Sequence, residues 1–167
     1  FAIKGKRVDG NKFVSEALKK KSCLAIVNRL NKNYPLIRQV KVKDTLNFLT
    51  QCSSIYRENI NTKIISITGS CGKTTLKEMI GHTLKTISKT SYSPKSFNNK
   101  YGVPISLFNL KQNDQFGVFE VGMDKRGEID NLTKIIKPDL GIITNISYAH
   151  AKNFNKISQI AEAKAEI

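Results

Sequence analysis

Seven residues in the middle of the chain, Gly69-Ser70-Cys71-Gly72-Lys73-Thr74-Thr75, have the types and spacing to hold a phosphate. An apolar run, Ile64–Thr68, precedes them and a helical pattern follows. A glycine-rich turn at a helix N-terminus aims backbone N–H groups and the positive end of the dipole at an anion. Lys73 adds a point charge for β- and γ-phosphates, and Thr74 a hydroxyl for Mg²⁺. The pattern is a short G-x-x-G-K-T-T: Ile67, not Gly, stands five positions before Gly72. Cys71 reads as a small residue filling a tight turn, not as a nucleophile.

Five further residues could take part. Glu120 lies near the end of the apolar run Phe116–Val121, where ligands of open α/β sheets sit. An acid there caps a helix or holds a metal, and a phosphate loop on a neighbouring strand favours the metal. His150 follows the run Ile142–Ile146 by a few residues, as either a structural histidine or a metal or phosphate ligand. Lys164 falls on one helical face with Ile157, Ile160, Ala161 and Ile167. It either snorkels at a helix end or is desolvated enough for its neutral amine to react. Asn98-Asn99 lie in a polar turn before Gly102-Val103-Pro104, where Pro104 starts a short helix.

The elements that must position these residues alternate in type. Residues 1–60 read as a small α/β unit. Phe1–Ile3 is the end of a strand, and Asn11 caps a helix carrying Phe13, Val14, Ala17 and Leu18. Cys23–Val27 and Val40–Val42 are short strands, and Asp44 caps a helix with Leu46, Phe48 and Leu49. Arg57–Lys63 is a polar linker. Residues 61–167 form the second unit, with strands at Ile64–Thr68, Phe116–Val121 and Leu140–Ile146. The helix after the phosphate loop turns Leu76, Met79, Ile80, Thr83, Leu84 and Ile87 inward and leaves His82 exposed. A second helix, Gly127–Lys137, buries Ile129, Leu132, Ile135 and Ile136 and stops at Pro138. A last one runs from about Ile157. This alternation predicts an α/β fold with a mainly parallel sheet.

Composition narrows the class. The 167 residues carry 28 Lys+Arg against 13 Asp+Glu, a net charge of +15, with 40% hydrophobic residues. That apolar content builds a core and excludes a disordered polycation. The positive charge is about +10 over residues 1–63 and about +5 beyond. The lysines are scattered and not interleaved with aromatics, which favours an anionic ligand over a nucleic-acid groove. No apolar run reaches the ~18 residues of a membrane span. Three widely spaced cysteines, Cys23, Cys52 and Cys71, make neither a disulfide framework nor a zinc site and point to a reducing cytoplasm. The chain opens on Phe1 rather than Met and reads as part of something longer.

Together these stretches resemble the Mur ligases, ATP-dependent amide-bond ligases of cell-wall synthesis. The resemblance is carried by FAIKGKRVDG (Phe1–Gly10), Phe13–Lys20, ITGSCGKTT (Ile67–Thr75), NNKYGVP (Asn98–Pro104) and FEVGMDKRGEI (Phe119–Ile129). Ile142–Ile146 with Ala149-His150, and Lys164-Ala165-Glu166-Ile167, complete it. Tyr148 departs from the pattern, since relatives usually carry an acid before Ala-His. The pairing of NNxxGVP with ExGMxxxGEI implies the member that adds D-Ala-D-Ala to UDP-MurNAc-tripeptide through an acyl phosphate. Other readings are another Mur-type, folylpolyglutamate-type or cyanophycin-type ligase, or a P-loop NTPase module that binds nucleic acid. The resemblance implies that residues 1–60 belong to a UDP-sugar-substrate domain lacking its start. It makes residues 61–167 a P-loop ATPase domain lacking its C-terminal part, and places a further Rossmann-like domain beyond. It implies ATP and Mg²⁺ as cofactors. Gly69, Ser70, Cys71, Gly72, Lys73, Thr74, Thr75, Asn98 and Asn99 would bind ATP; Lys73, His150 and Lys164 would be catalytic. Thr74 and Glu120 would hold one Mg²⁺, and His150 with Lys164, as a carbamate, a second.

Overall fold

The structure, a computed structural model, describes residues 1–5, 7–148 and 153–167. His150, on which one expectation falls, lies outside the described residues. The chain divides into two compact units, Phe1–Cys52 and Ser53–Ile167, and the division falls inside a helix.

In the first unit a short helix α1 (Val14–Lys19) precedes two strands, β1 (Ala25–Val27) and β2 (Gln39–Lys41). The strands pair in parallel with Ile26 opposite Val40. Ala2, Val14, Leu18, Ala25 and Val27 form the core. Phe1–Ile3 is not a strand: Ala2 N–H donates to the Ile26 carbonyl (2.8 Å) and the Ile3 carbonyl accepts from Gly10 N–H (2.9 Å), without a ladder, and the nearest bridge pairs Lys4 with Asp9. The turn before α1 is capped by Asp9, whose carboxylate accepts from Asn11 N–H (2.9 Å), so Asn11 is the capped residue rather than the cap. Asp44 caps α2 (Thr45–Glu58) as its sequence predicts, accepting from Leu46 and Asn47 N–H groups.

The second unit is built on a four-stranded, all-parallel sheet. Its strands are β3 (Lys63–Thr68), β4 (Thr90–Tyr92), β5 (Phe116–Glu120) and β6 (Leu140–Ile143), in the order β4-β5-β3-β6. Ile64 and Ile67 on β3 and Val118 and Phe119 on β5 are fully or almost fully buried, as parallel strands covered on both faces require. The helices are α3 (Lys73–Ile87), α4 (Gly102–Leu107), α5 (Glu128–Ile136) and α6 (Ile157–Lys164). α5 buries Ile129, Leu132 and Ile136 and ends on Lys137 in the left-handed conformation, just before Pro138.

Two helix faces differ from expectation. On α3 the buried residues are Lys77 and Gly81, while Met79 and Ile87 are exposed. Gly81 is the cause: a Cβ there would stand 2.5 Å from a ring carbon of Tyr92, so the missing side chain makes room for β4. On α6 the buried residues are Ile160, Ala163 and Lys164, and Ile157 is exposed. β4, with its sequence Thr-Ser-Tyr, carries no apolar run that would have revealed it.

Candidate functional site

The phosphate loop joins the C-terminal end of β3 to the first residue of α3, Lys73. Two glycines make the turn possible. Gly69 has φ +151°, and a Cβ there would lie 1.8 Å from Thr144 Oγ1. Gly72, the residue before α3, has φ +77°. Both conformations are open to glycine and costly for other residues. The loop is laced to the segment after β6. Ser70 N–H donates to the Asn145 carbonyl (3.0 Å), Cys71 N–H to Asn145 Oδ1 (3.1 Å), and Thr144 Oγ1 to the Cys71 carbonyl (2.6 Å). Ser70 Oγ donates to the Ser147 carbonyl (3.0 Å) and accepts from Ser147 N–H (2.9 Å). Cys71 itself is exposed, its sulfur 3.0 Å from Asn145 Nδ2. Lys73 is half-buried and its Nζ donates to the Gly69 carbonyl (2.8 Å), which folds the ammonium over its own loop. Thr75 is exposed.

Glu120 is the last residue of β5, opposite Ile67 on β3. Its side chain is 2% exposed. Each carboxylate oxygen has one donor: Thr74 Oγ1 to Oε2 (2.6 Å) and Asn98 Nδ2 to Oε1 (2.6 Å). Ser96 Oγ lies 3.2 Å from Thr74 Oγ1. The structure thus brings together Lys73, Thr74, Glu120 and Asn98, residues distant in sequence, at the C-terminal ends of two adjacent parallel strands. That is where open α/β sheets place their ligands. Asn99 does a different job: its Oδ1 accepts from Tyr101 and Gly102 N–H groups (both 3.0 Å) and starts α4. α4 therefore begins two residues before Pro104.

Lys164 is 2% exposed. Burial, and behind it the positive charge of Lys73, bring its amine from 10.5 down to about 8. A group at that value is in part a neutral amine near neutral pH. Glu166, two residues on, turns to α5: its carboxylate accepts from Gly127 N–H (2.9 and 3.0 Å) and Asp130 N–H (3.1 Å).

The donor set suits a hard divalent cation. Thr74 Oγ1 and Glu120 Oε2 are oxygens already in contact, and the Glu120 charge is otherwise met only by neutral donors among the contacts described. No group of three or more His, Cys, Asp and Glu occurs among the described residues. Mg²⁺ does not need one, because it binds through one or two carboxylates plus substrate phosphates and water.

The first unit carries a cavity of about 380 Å³ whose lining includes Asn11, Lys12, Arg29, Asn31, Lys32 and Gln39. No helix of the described residues is long and apolar enough to cross a membrane.

Sequence reasoning missed the second layer of the site. Thr144, Asn145 and Ser147 hold the phosphate loop, and Ser96 approaches Thr74. A polar run directly after the apolar strand Leu140–Ile143 is the signal that could have found the first three. Nothing local marks Ser96.

The model of the Mur ligase middle domain matches residues 67–167. The chain belongs to the Mur ligase family. Over all 167 residues it is 39% identical to the UDP-N-acetylmuramoyl-tripeptide–D-alanyl-D-alanine ligase of Buchnera aphidicola subsp. Acyrthosiphon pisum, covering 36% of that protein. It is 37% identical over 166 residues to the ligase of that name from Bacillus subtilis, again covering 36%. Among solved structures it is similar to MurF from Acinetobacter baumannii, with TM-score 0.89, 39% identity, and 99% of this chain on 36% of that one. It is also similar to MurF ligase from Thermotoga maritima in complex with ADP, with TM-score 0.85 and 32% identity, covering 99% of this chain and 38% of that one. The chain therefore spans little more than a third of the length of these relatives. The mixed α/β architecture with parallel sheets is the one the family resemblance implies.

Proposed function

We propose that the chain is part of an ATP-dependent ligase that adds D-Ala-D-Ala to UDP-MurNAc-tripeptide through an acyl phosphate, in the cytoplasm. The observation that carries this reading is the 2.6 Å contact between Thr74 Oγ1 and Glu120 Oε2, directly behind a phosphate loop. The relatives at 37–39% identity that bear this ligase's name support the choice of substrates.

In this reading the N–H groups at the start of α3, Gly72–Thr75, and the Lys73 ammonium bind the ATP phosphates, while the Ser70 and Cys71 N–H groups stay on Asn145 and hold the loop in shape. Thr74 and Glu120 hold Mg²⁺, which supplies charge neutralisation during phosphoryl transfer. Asn98 keeps the Glu120 carboxylate oriented. The tripeptide carboxylate takes the γ-phosphoryl group, ADP leaves, and the dipeptide amine then displaces phosphate to form the amide. Lys73 counters the charge that builds on the transferred group. Lys164, as a neutral amine, adds CO₂ and loses a proton. The resulting carbamate is an anionic oxygen donor that, with His150, serves a second Mg²⁺. Residues 1–60 take the UDP-sugar end. The cavity of the first unit supports that role, with Lys12, Arg29 and Lys32 suited to a diphosphate and Asn and Gln amides suited to a base.

The test is ligation by the full-length protein given ATP, Mg²⁺, UDP-MurNAc-tripeptide and D-Ala-D-Ala. The expected products are the pentapeptide precursor, ADP and phosphate in equal amounts. ADP binding without any amide product, in a folded protein, overturns the substrate assignment.

A further inference from the structure

One buried charge stands beside the site without a part in the proposed chemistry. Lys77 lies on α3 one turn beyond Thr74, and it is 0% exposed. A buried ammonium is tolerated when each of its three N–H donors finds an acceptor. Lys77 Nζ has three oxygens within reach: it donates to the Ser93 carbonyl (2.7 Å) and the Lys95 carbonyl (2.6 Å), and it forms an ion pair with Glu78 Oε1 (2.8 Å). The ring of Tyr92 lies 5.8 Å away.

Two of these acceptors belong to the segment that leaves β4, so the ammonium ties that segment to α3. The segment holds a backbone that it would not choose freely, since Lys95 has φ +48° without being glycine. It also leads straight into the site. Ser96 Oγ stands 3.2 Å from Thr74 Oγ1, and Asn98 Nδ2 donates to Glu120 Oε1. The same stretch touches β5 and its exit through backbone groups. Glu120 N–H donates to Ser93 Oγ (3.3 Å), and Gly122 N–H to the Asn98 carbonyl (2.8 Å). Filling space does not call for a lysine here: an apolar chain of equal length would do so without losing hydration. What a lysine adds is the fixing of two carbonyls, two residues apart, against the helix that presents Thr74.

We infer that Lys77 is a positioning residue, clamping residues 93–95 so that Ser96 and Asn98 stand against Thr74 and Glu120 and preset that oxygen pair for a divalent cation. The inference rests on the reading of Thr74 and Glu120 as the Mg²⁺ ligands. It concerns geometry before the metal arrives, so part of its test is made without metal.

The experiment uses the full-length protein and Lys77→Met, which keeps the length and loses the donors. Hydrogen exchange at the amides of residues 96–99 is followed in metal-free protein. ADP affinity is measured without metal and then against Mg²⁺ concentration. Lys77→Met should exchange faster at 96–99 and need about tenfold more Mg²⁺ for half-maximal enhancement of ADP binding, the effect of losing one charge-assisted hydrogen bond. Its metal-free ADP affinity should stay within about threefold of the parent, because the phosphate loop keeps its own bonds. Asn98→Ala should shift the Mg²⁺ requirement the same way, and the double variant should shift it no further. Lys77→Arg, with charge and donors retained, should recover part of the shift, and it carries the same cycle with Asn98→Ala if Lys77→Met does not fold. An unchanged Mg²⁺ requirement in folded Lys77→Met, or strictly additive effects with Asn98→Ala, overturns the inference. If the parent protein binds ADP with no response to Mg²⁺, the metal reading fails instead, and the exchange rates at 96–99 still decide whether the clamp exists.

Discussion

Two lysines of the site illustrate how burial decides what a side chain can do. Lys73 begins α3 and is half-buried, with its Nζ on the Gly69 carbonyl. A bound phosphate would offer that ammonium a charged partner in place of a neutral one, a stronger hydrogen bond. Lys73→Ala in the full-length protein should lower turnover by about 10²–10³ or more while the circular dichroism spectrum is unchanged. Turnover at the parent rate, with the fold intact, would remove Lys73 from the chemistry. Lys164 is buried further, and its amine sits at about 8 rather than 10.5. The unfolded chain binds this proton more tightly than the folded one. Stability therefore rises with pH between about 8 and 10.5, and the whole cost of the charged form is present below 8. In CO₂-free buffer Lys164→Met should be more stable than the parent at pH 7. Its advantage should shrink by up to about 1.4 kcal/mol per pH unit across that window. Urea denaturation at pH 7 and pH 9.5 checks it; an advantage that does not change with pH would mean that the amine is solvated. The carbamate is tested separately. Lys164→Ala should lose most activity in the full-length protein, and a short carboxylic acid added to the assay should restore part of it. Failure of any acid to restore activity would count against a carbamate.

At the scale of elements, α5 is pinned at both ends by residues far away in sequence. Glu166 accepts from Gly127 and Asp130 N–H groups at its start. Arg57, with a side chain only 12% exposed, donates to the Ile136 carbonyl (2.7 Å) and the Lys137 carbonyl (3.1 Å) at its end, and to the Ile60 carbonyl (3.1 Å). These are groups that a helix leaves without internal partners. Glu166→Ala should cost about 1 kcal/mol, the usual worth of an N-terminal cap. Arg57→Met should cost about 2 kcal/mol, since it orphans carbonyls that accepted charged donors. The two losses should add, because the sites share no partner. Urea denaturation of the two single variants and the double variant measures all three, and a sum that fails by more than about 1 kcal/mol would show that the ends of α5 are coupled. The same helix shows what was legible in the sequence. Its type and inward residues followed from the spacing of Ile129, Leu132 and Ile136, because apolar side chains report a buried face directly. Its tethers did not, because Glu166 and Arg57 find their partners through the tertiary fold. α3 shows the opposite failure. Leu76, Ile80 and Leu84 are half-buried as expected, but counting Met79, Thr83 and Ile87 as inward turned the buried line too far round, since its centre is drawn by Gly81, which has no side chain, and by Lys77, which looks like surface. The phosphate loop was legible because strand, glycines, lysine and threonines are contiguous. The contact of Thr74 with Glu120 was half legible: strand-end placement suggested it, but only the order β4-β5-β3-β6 sets β5 beside β3.

At the scale of the molecule, the second unit has a phosphate loop and a carboxylate at adjacent strand ends, the parts that the proposed reading uses to hold ATP. Amide formation asks for more. The amine of the incoming dipeptide must be brought to the acyl phosphate in a defined orientation, and orientation accounts for roughly 7–11 kcal/mol of such a barrier. In the proposed reading, the residues gathered around Glu120 and the phosphate loop, Lys73, Thr74 and Asn98, serve phosphate and cation rather than an amine. The chain spans 36–38% of its relatives' length. Residues 1–167 alone, mixed with ATP, Mg²⁺, UDP-MurNAc-tripeptide and D-Ala-D-Ala, should therefore give no amide above a no-enzyme control, even where ADP binding is measurable. The comparison to make is against the full-length protein at equal concentration, with product followed by mass spectrometry. Pentapeptide precursor formed by residues 1–167 would show that the acceptor is oriented by this chain itself, and the first place to look for its site would then be the Thr144–Ser147 segment that holds the phosphate loop.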